Sequence, residues 1–140
     1  NIMNINEILK TEESRKNFLI GLVFLARVDD VEESEKVFFE NASASLKLSE
    51  LSKSEINLSW TKADMPELHF ENKRASLFFI IQAVQLANVD NSYTEKERDF
   101  IYNAATKLGL SNESVNKIEL WVEEGLKWQE KGEKLLDMEV

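Results

Sequence analysis

Phe18-Leu19-Ile20-Gly21-Leu22-Val23-Phe24-Leu25-Ala26-Arg27-Val28-Asp29 and Phe79-Ile80-Ile81-Gln82-Ala83-Val84-Gln85-Leu86-Ala87-Asn88-Val89-Asp90 align without a gap. Their apolar positions match almost throughout, and both end in Ala-x-Val-Asp. With one extra residue in the second linker, Phe38-Phe39-Glu40-Asn41-Ala42 falls on Phe100-Ile101-Tyr102-Asn103-Ala104, and Leu46-Lys47-Leu48-Ser49 falls on Leu108-Gly109-Leu110-Ser111. Self-similarity of this extent implies two related halves packed about a pseudo-twofold axis.

Helix formers dominate both copies, and four glycines with one proline in 140 residues cannot supply the turns of an all-β fold. Each half reads as helix, acidic turn, helix, then a serine-capped third helix. The expectation is an all-α, compact single-domain bundle of about six to seven helices built from two related three-helix halves. Repeat 1 covers about 11–60, a connector about 61–70, repeat 2 about 71–131 and a tail 132–140. Thr11, Ser49, Thr94 and Ser111 read as helix starts, because their hydroxyls can accept an unpaired first-turn N–H. Gly109 reads as a left-handed stop. The run Ala75 to Ala87 falls short of the ~20 residues that span a bilayer and reads as a central core helix. The last helix is expected to end near Lys131, with Gly125 allowing a neighbouring helix to approach closely.

Seventeen basic against 26 acidic residues leave a net charge of −9, which disfavours nucleic acid as a partner. The chain has no cysteine and a single histidine, His69, so any metal would be a hard cation held by oxygen. The first residues lack the pattern of a signal peptide and Met3 reads as the native start, giving the expectation of a cytoplasmic protein. His69 has no nucleophile or paired acid in a motif around it and reads as a polar connector residue.

Asp29-Asp30-Val31-Glu32-Glu33-Ser34-Glu35 and Asp90-Asn91-Ser92-Tyr93-Thr94-Glu95-Lys96-Glu97 occupy the same place in each half, at a helix-to-helix junction. Carboxylates there can converge on Ca²⁺ or Mg²⁺. The EF-hand template fails, since Glu95 stands at its glycine and Ile101 at its bidentate glutamate. Thr94-x-x-Glu97 also fits a capping box, as does Asp30-x-x-Glu33, and caps need no ligand. Trp60 and Trp121 fall near equivalent places in the repeat and are expected in the core. Trp128, half exposed beside Leu126, suggests a partner surface.

A helix ending in Ala-x-x-Asp, a turn, a Glu seven places after the Asp and a following apolar helix resemble the TerB-like tellurite-resistance family. The resemblance runs from about Thr11 to Lys131, clearest at Ala87-Asn88-Val89-Asp90 and Glu97-Arg98-Asp99-Phe100-Ile101. It implies an all-helical domain with an internal repeat and an acidic divalent-cation site linked to tellurite and stress responses, without enzymatic activity. Asp90 and Glu97 correspond to the family motif, and Asp29 and Glu35 form a degenerate first copy. Here Asp30 and Asn91 replace the family glycine, and the first copy is one residue shorter, turning Glu35 by about 100° around its helix.

Three functions follow as expectations. The first is a non-enzymatic cytosolic binding module that holds a divalent cation through Asp90 and Glu97, with Asp29, Asp30 and Glu35 in support, and recruits a protein partner. The second is a pure protein-interaction domain, its acids serving as caps and its Trp121–Trp128 face docking another helical protein or a second copy. The third, a metal-dependent hydrolase, has only Glu32-x-x-Glu35 in its favour and no facing motif.

Overall fold

The computed structural model describes residues 4–29, 33–89 and 92–140, without the side chains of residues 33–35 and 38. Among the described residues there are seven α-helices and no strand: α1 (Ile5–Ile8), α2 (Glu12–Ala26), α3 (Glu33–Ser45), α4 (Glu50–Leu58), α5 (Lys73–Ala87), α6 (Glu95–Lys107) and α7 (Asn112–Leu135). None is long and apolar enough to cross a membrane.

Side-chain caps set most of the helix starts. Thr11 accepts from the Ser14 amide, Ser49 from Ser52, Thr94 from Glu97 and Ser111 from Ser114. Each satisfies one first-turn donor, a contribution of about 1 kcal/mol. Gly109 takes φ +79°, the left-handed conformation that ends α6. The fifth helix starts from Asn72, whose side chain accepts from the Ala75 amide at 2.8 Å.

Glu71 instead turns back on α2: its Oε1 accepts from the Thr11 amide at 2.9 Å and the Thr11 hydroxyl at 3.2 Å. Its own amide donates to Ser14 Oγ at 3.0 Å. Arg15 is a second clip, donating to the carbonyls of Leu9, Lys10 and Lys47 at 2.9–3.0 Å. That clip fastens α1, a short turn capped by Asn4, whose side chain accepts from the Asn6 amide at 3.1 Å, while Ile8 and Leu9 bury themselves behind it.

The core lies where α2 crosses α5, the two helices that carry the two aligned stretches. Leu19, Leu22, Val23, Phe79, Ile80, Ala83 and Val84 are all fully buried there. Burial of each large apolar side chain contributes about 1.5–3 kcal/mol, which makes this crossing the main source of stability. Around α5 pack α1, α2, α6 and α7, so it is the central helix that its all-round apolar pattern predicted.

Gly21 sets how close that crossing is. A Cβ there would stand 2.5 Å from two ring atoms of Phe79 and 3.0 Å from Leu68 Cδ1. Phe79 is held in place by Phe70, stacked at 5.4 Å, and by Phe18, edge-on at 6.3 Å.

Two expectations are corrected. Helix α7 runs through Gly132 to Leu135 rather than ending near Lys131, with Lys134 in the last turn complementing the helix dipole. Gly125 makes no close approach within the bundle, since a Cβ there would meet nothing within 4 Å.

Gly21→Ala is expected to cost about 1–3 kcal/mol by overpacking. Adding Phe79→Leu should return part of that loss instead of adding to it, because the two residues share one contact. Urea unfolding of the two single variants and the double variant measures both effects.

Candidate functional site

The described parts of the two acidic junctions, Asp29 after α2 and Thr94 to Glu97 at the start of α6, meet at Thr94. Its hydroxyl donates to Asp29 Oδ2 at 3.0 Å, across 65 positions of chain. The same hydroxyl accepts from the Glu97 amide at 3.2 Å, and the Thr94 amide donates to Glu97 Oε1 at 2.8 Å. The capping box foreseen at Thr94 is therefore complete, and one threonine carries a carboxylate from each junction.

Asp30 and Asp90 lie outside the described residues, as does the side chain of Glu35. Of the five acids expected to hold a cation, Asp29 and Glu97 are the two whose side chains are described, and both are engaged with Thr94. Among the described residues no group of three or more His, Asp or Glu side chains gathers in a metal-binding arrangement. His69 is exposed in the connector, 3.9 Å from Glu67.

One residue further out from the junction, a polar cluster forms that the sequence reading missed. Glu119, projecting from α7, accepts from the Tyr93 hydroxyl at 2.8 Å and from Arg98 Nε at 3.1 Å through Oε2. Its Oε1 accepts from the Tyr102 hydroxyl at 2.5 Å. Arg98 lies over the Tyr102 ring at 4.6 Å, and the Tyr102 hydroxyl also meets Asn116. Arg98 and Tyr102 stand four residues apart and so share one helical face, which was the one readable hint.

Burial pushes the Glu119 carboxyl up, but donors from Tyr102, Tyr93 and Arg98 outweigh it and hold the group below its ordinary 4.5. Burial and then the Glu119 carboxylate push both phenols above their ordinary 10. The cluster is a carboxylate fully supplied with donors. It binds α7 to α6 and to the segment before Thr94.

A cleft of about 970 Å³ opens between α3 and α4. Phe39 and Trp60, edge to face at 5.2 Å, form part of its wall, and Arg27, Lys36 and Lys53 line it with Asp29 and Glu40. Arg27 is committed to structure: it donates to the carbonyls of Ser59 and Lys62, both at 2.8 Å, and covers the Phe24 ring.

The third feature is the outer face of α7. Only Val115 and Val122 of this helix are buried, and from Lys127 onward every residue is exposed. Trp128 is 75% exposed and Trp121 48% exposed. The placement of Trp121 corrects the core expectation: Trp60 sits in the turn after α4 and packs against the core, whereas Trp121 lies within a helix on a different face.

Comparison of the chain with protein families, curated proteins and solved structures gives no match.

Glu119→Gln is expected to lower stability near neutral pH. Because the folded state holds this carboxyl below 4.5, its contribution is complete above the unfolded value and is lost as pH falls through the lowered one. The stability gap between wild type and variant should therefore close on acidification, as read from urea midpoints across pH 3 to 7.

Proposed function

We propose that this chain is a non-enzymatic protein-interaction module that works through the outer face of α7. The observation that carries this reading is the pair of exposed tryptophans, Trp121 and Trp128, on a helix that outruns its bundle. Tryptophan is the residue most concentrated at binding hot spots, and two of them exposed beside Leu126 and Val89 form a patch that a partner would desolvate. In this reading the acids at the junctions are caps and ties. The capping box at Thr94 and its bond to Asp29 support that role.

The proposal includes the internal repeat and a TerB-like relationship with a role in stress or tellurite response. Equal lengths favour the repeat: α2 and α5 have 15 residues each, and α3 and α6 have 13 each. The absence of cysteine from the chain suits action in the reducing cytoplasm.

A photocrosslinking residue in place of Trp128 should capture a protein in living cells, while the same residue in place of exposed Lys10 should not. Equal labelling at the two positions would overturn the reading.

The meeting of Asp29 and Glu97 at Thr94 favours a second reading, a divalent-cation site completed by Asp90, with Ca²⁺ or Mg²⁺ as the occupant. Calorimetric titration of Ca²⁺, Mg²⁺ and Mn²⁺ into stripped protein decides between the two. Glu97→Gln is the informative variant, because glutamine still closes a capping box and only the charge is lost. Pure caps give no saturable heat in either protein; a site gives binding that the variant loses.

A further inference from the structure

We infer that the partner of the α7 face is a second copy of this chain, paired antiparallel through α7; this rests on the interaction reading above. Ile118, Trp121, Gly125, Trp128, Gly132 and Leu135 recur at alternating intervals of three and four, the spacing of a coiled-coil seam. At 3.6 residues per turn they share a face about 100° wide. That face lies beside the one that buries Val115 and Val122; Ile118 at its start packs partly against the core, and from Trp121 onward the face is open to solvent. Trp121, Trp128 and Leu135 are 48%, 75% and 60% exposed, and the two glycines look onto open space.

The seam alternates in size: Ile, Gly and Gly occupy one set of positions and Trp, Trp and Leu the other. A parallel pair would set tryptophan against tryptophan and glycine against glycine, overfilling some layers and emptying others. An antiparallel pair does the opposite. In a single register Trp121 meets Gly132 of the second copy and Gly125 meets Trp128, so each tryptophan enters the gap left by a glycine, while Ile118 meets Leu135 in an aliphatic layer at either end. By the twofold symmetry each layer then occurs twice.

Charge agrees with this register. Glu124 and Lys131 flank the seam on the same side, and the antiparallel alignment places Glu124 of each copy near Lys131 of the other. The 24 residues of α7 give a seam of about 36 Å. A groove of about 650 Å³ beside it, lined by Gln85, Asn88, Val89, Trp121, Trp128 and Gln129, receives the incoming helix along the end of α5.

Sedimentation of the whole chain from low to high micromolar concentration tests the pairing. The wild type should form a dimer. Glu124→Lys should weaken it about tenfold or more by turning two attractions into repulsions. Adding Lys131→Glu should restore it, which a merely structural role for either residue would not do. Gly125→Leu should abolish the dimer while leaving the thermal midpoint of the monomer unchanged or higher, since leucine favours helix over glycine. A chain that stays monomeric throughout, or a dimer indifferent to these substitutions, would overturn the inference. Capture of a different protein at position 128 by a monomeric chain would sink self-pairing and leave the interaction reading standing; no capture at all would sink the interaction reading itself.

Discussion

The close crossing of α2 and α5, where the missing side chain of Gly21 admits the ring of Phe79, is the contact on which the rest of the architecture depends. Beyond their polar first turns both helices are apolar over most of their circumference, so each is packed on several sides. With α5 fixed against α2, its remaining faces are left for α1, α6 and α7. Phe18, Phe70 and Phe78 then close around the crossing as a ring cluster, with Phe18 stacked on Phe78 at 5.5 Å. Dense packing of this kind has little tolerance for added volume, and that inflexibility is what holds Asp29 in register with Thr94.

Polar side chains do a different job here: they tie together segments far apart in the chain. Glu71 on Thr11, Arg15 on the carbonyls around it and Thr94 on Asp29 each join parts of the molecule that hydrophobic contact alone would leave free to slide. Glu12 adds another, accepting from the Ser49 amide where α4 begins. In each case one side chain satisfies backbone or hydroxyl groups that would otherwise need water.

Helix type and most helix starts were legible, because capping is local: a hydroxyl at Thr11, Ser49, Thr94 or Ser111 acts within three residues of itself. Long-range ties were not. Nothing in the periodicity around Glu71 or Glu119 announces a partner, since Thr11 lies 60 positions from the first and Tyr93 lies 26 from the second. Trp121 misled for a further reason. Correspondence in the aligned halves placed it with Trp60, but the two stand in different local structure, one in a helix and one in a turn, and the same residue then points to different surroundings. Of the acidic junction, the capping geometry was readable at Thr94 and Glu97, while the meeting of the two junctions depends on how α2 and α5 cross.

Glu119 gives α7 the character of a lever. The helix is pinned by three donors, two buried valines and the half-buried Leu126, and from Lys127 onward it stands free. Trp128 lies nine residues beyond Glu119, about 14 Å along a stiff rod. A sideways load at the free end falls first on Leu126 and Val122 and then on Glu119, where Tyr93 is attached, and Tyr93 is the immediate neighbour of the threonine that clasps Asp29. The outer face and the acidic end of the bundle are joined by one continuous chain of contacts.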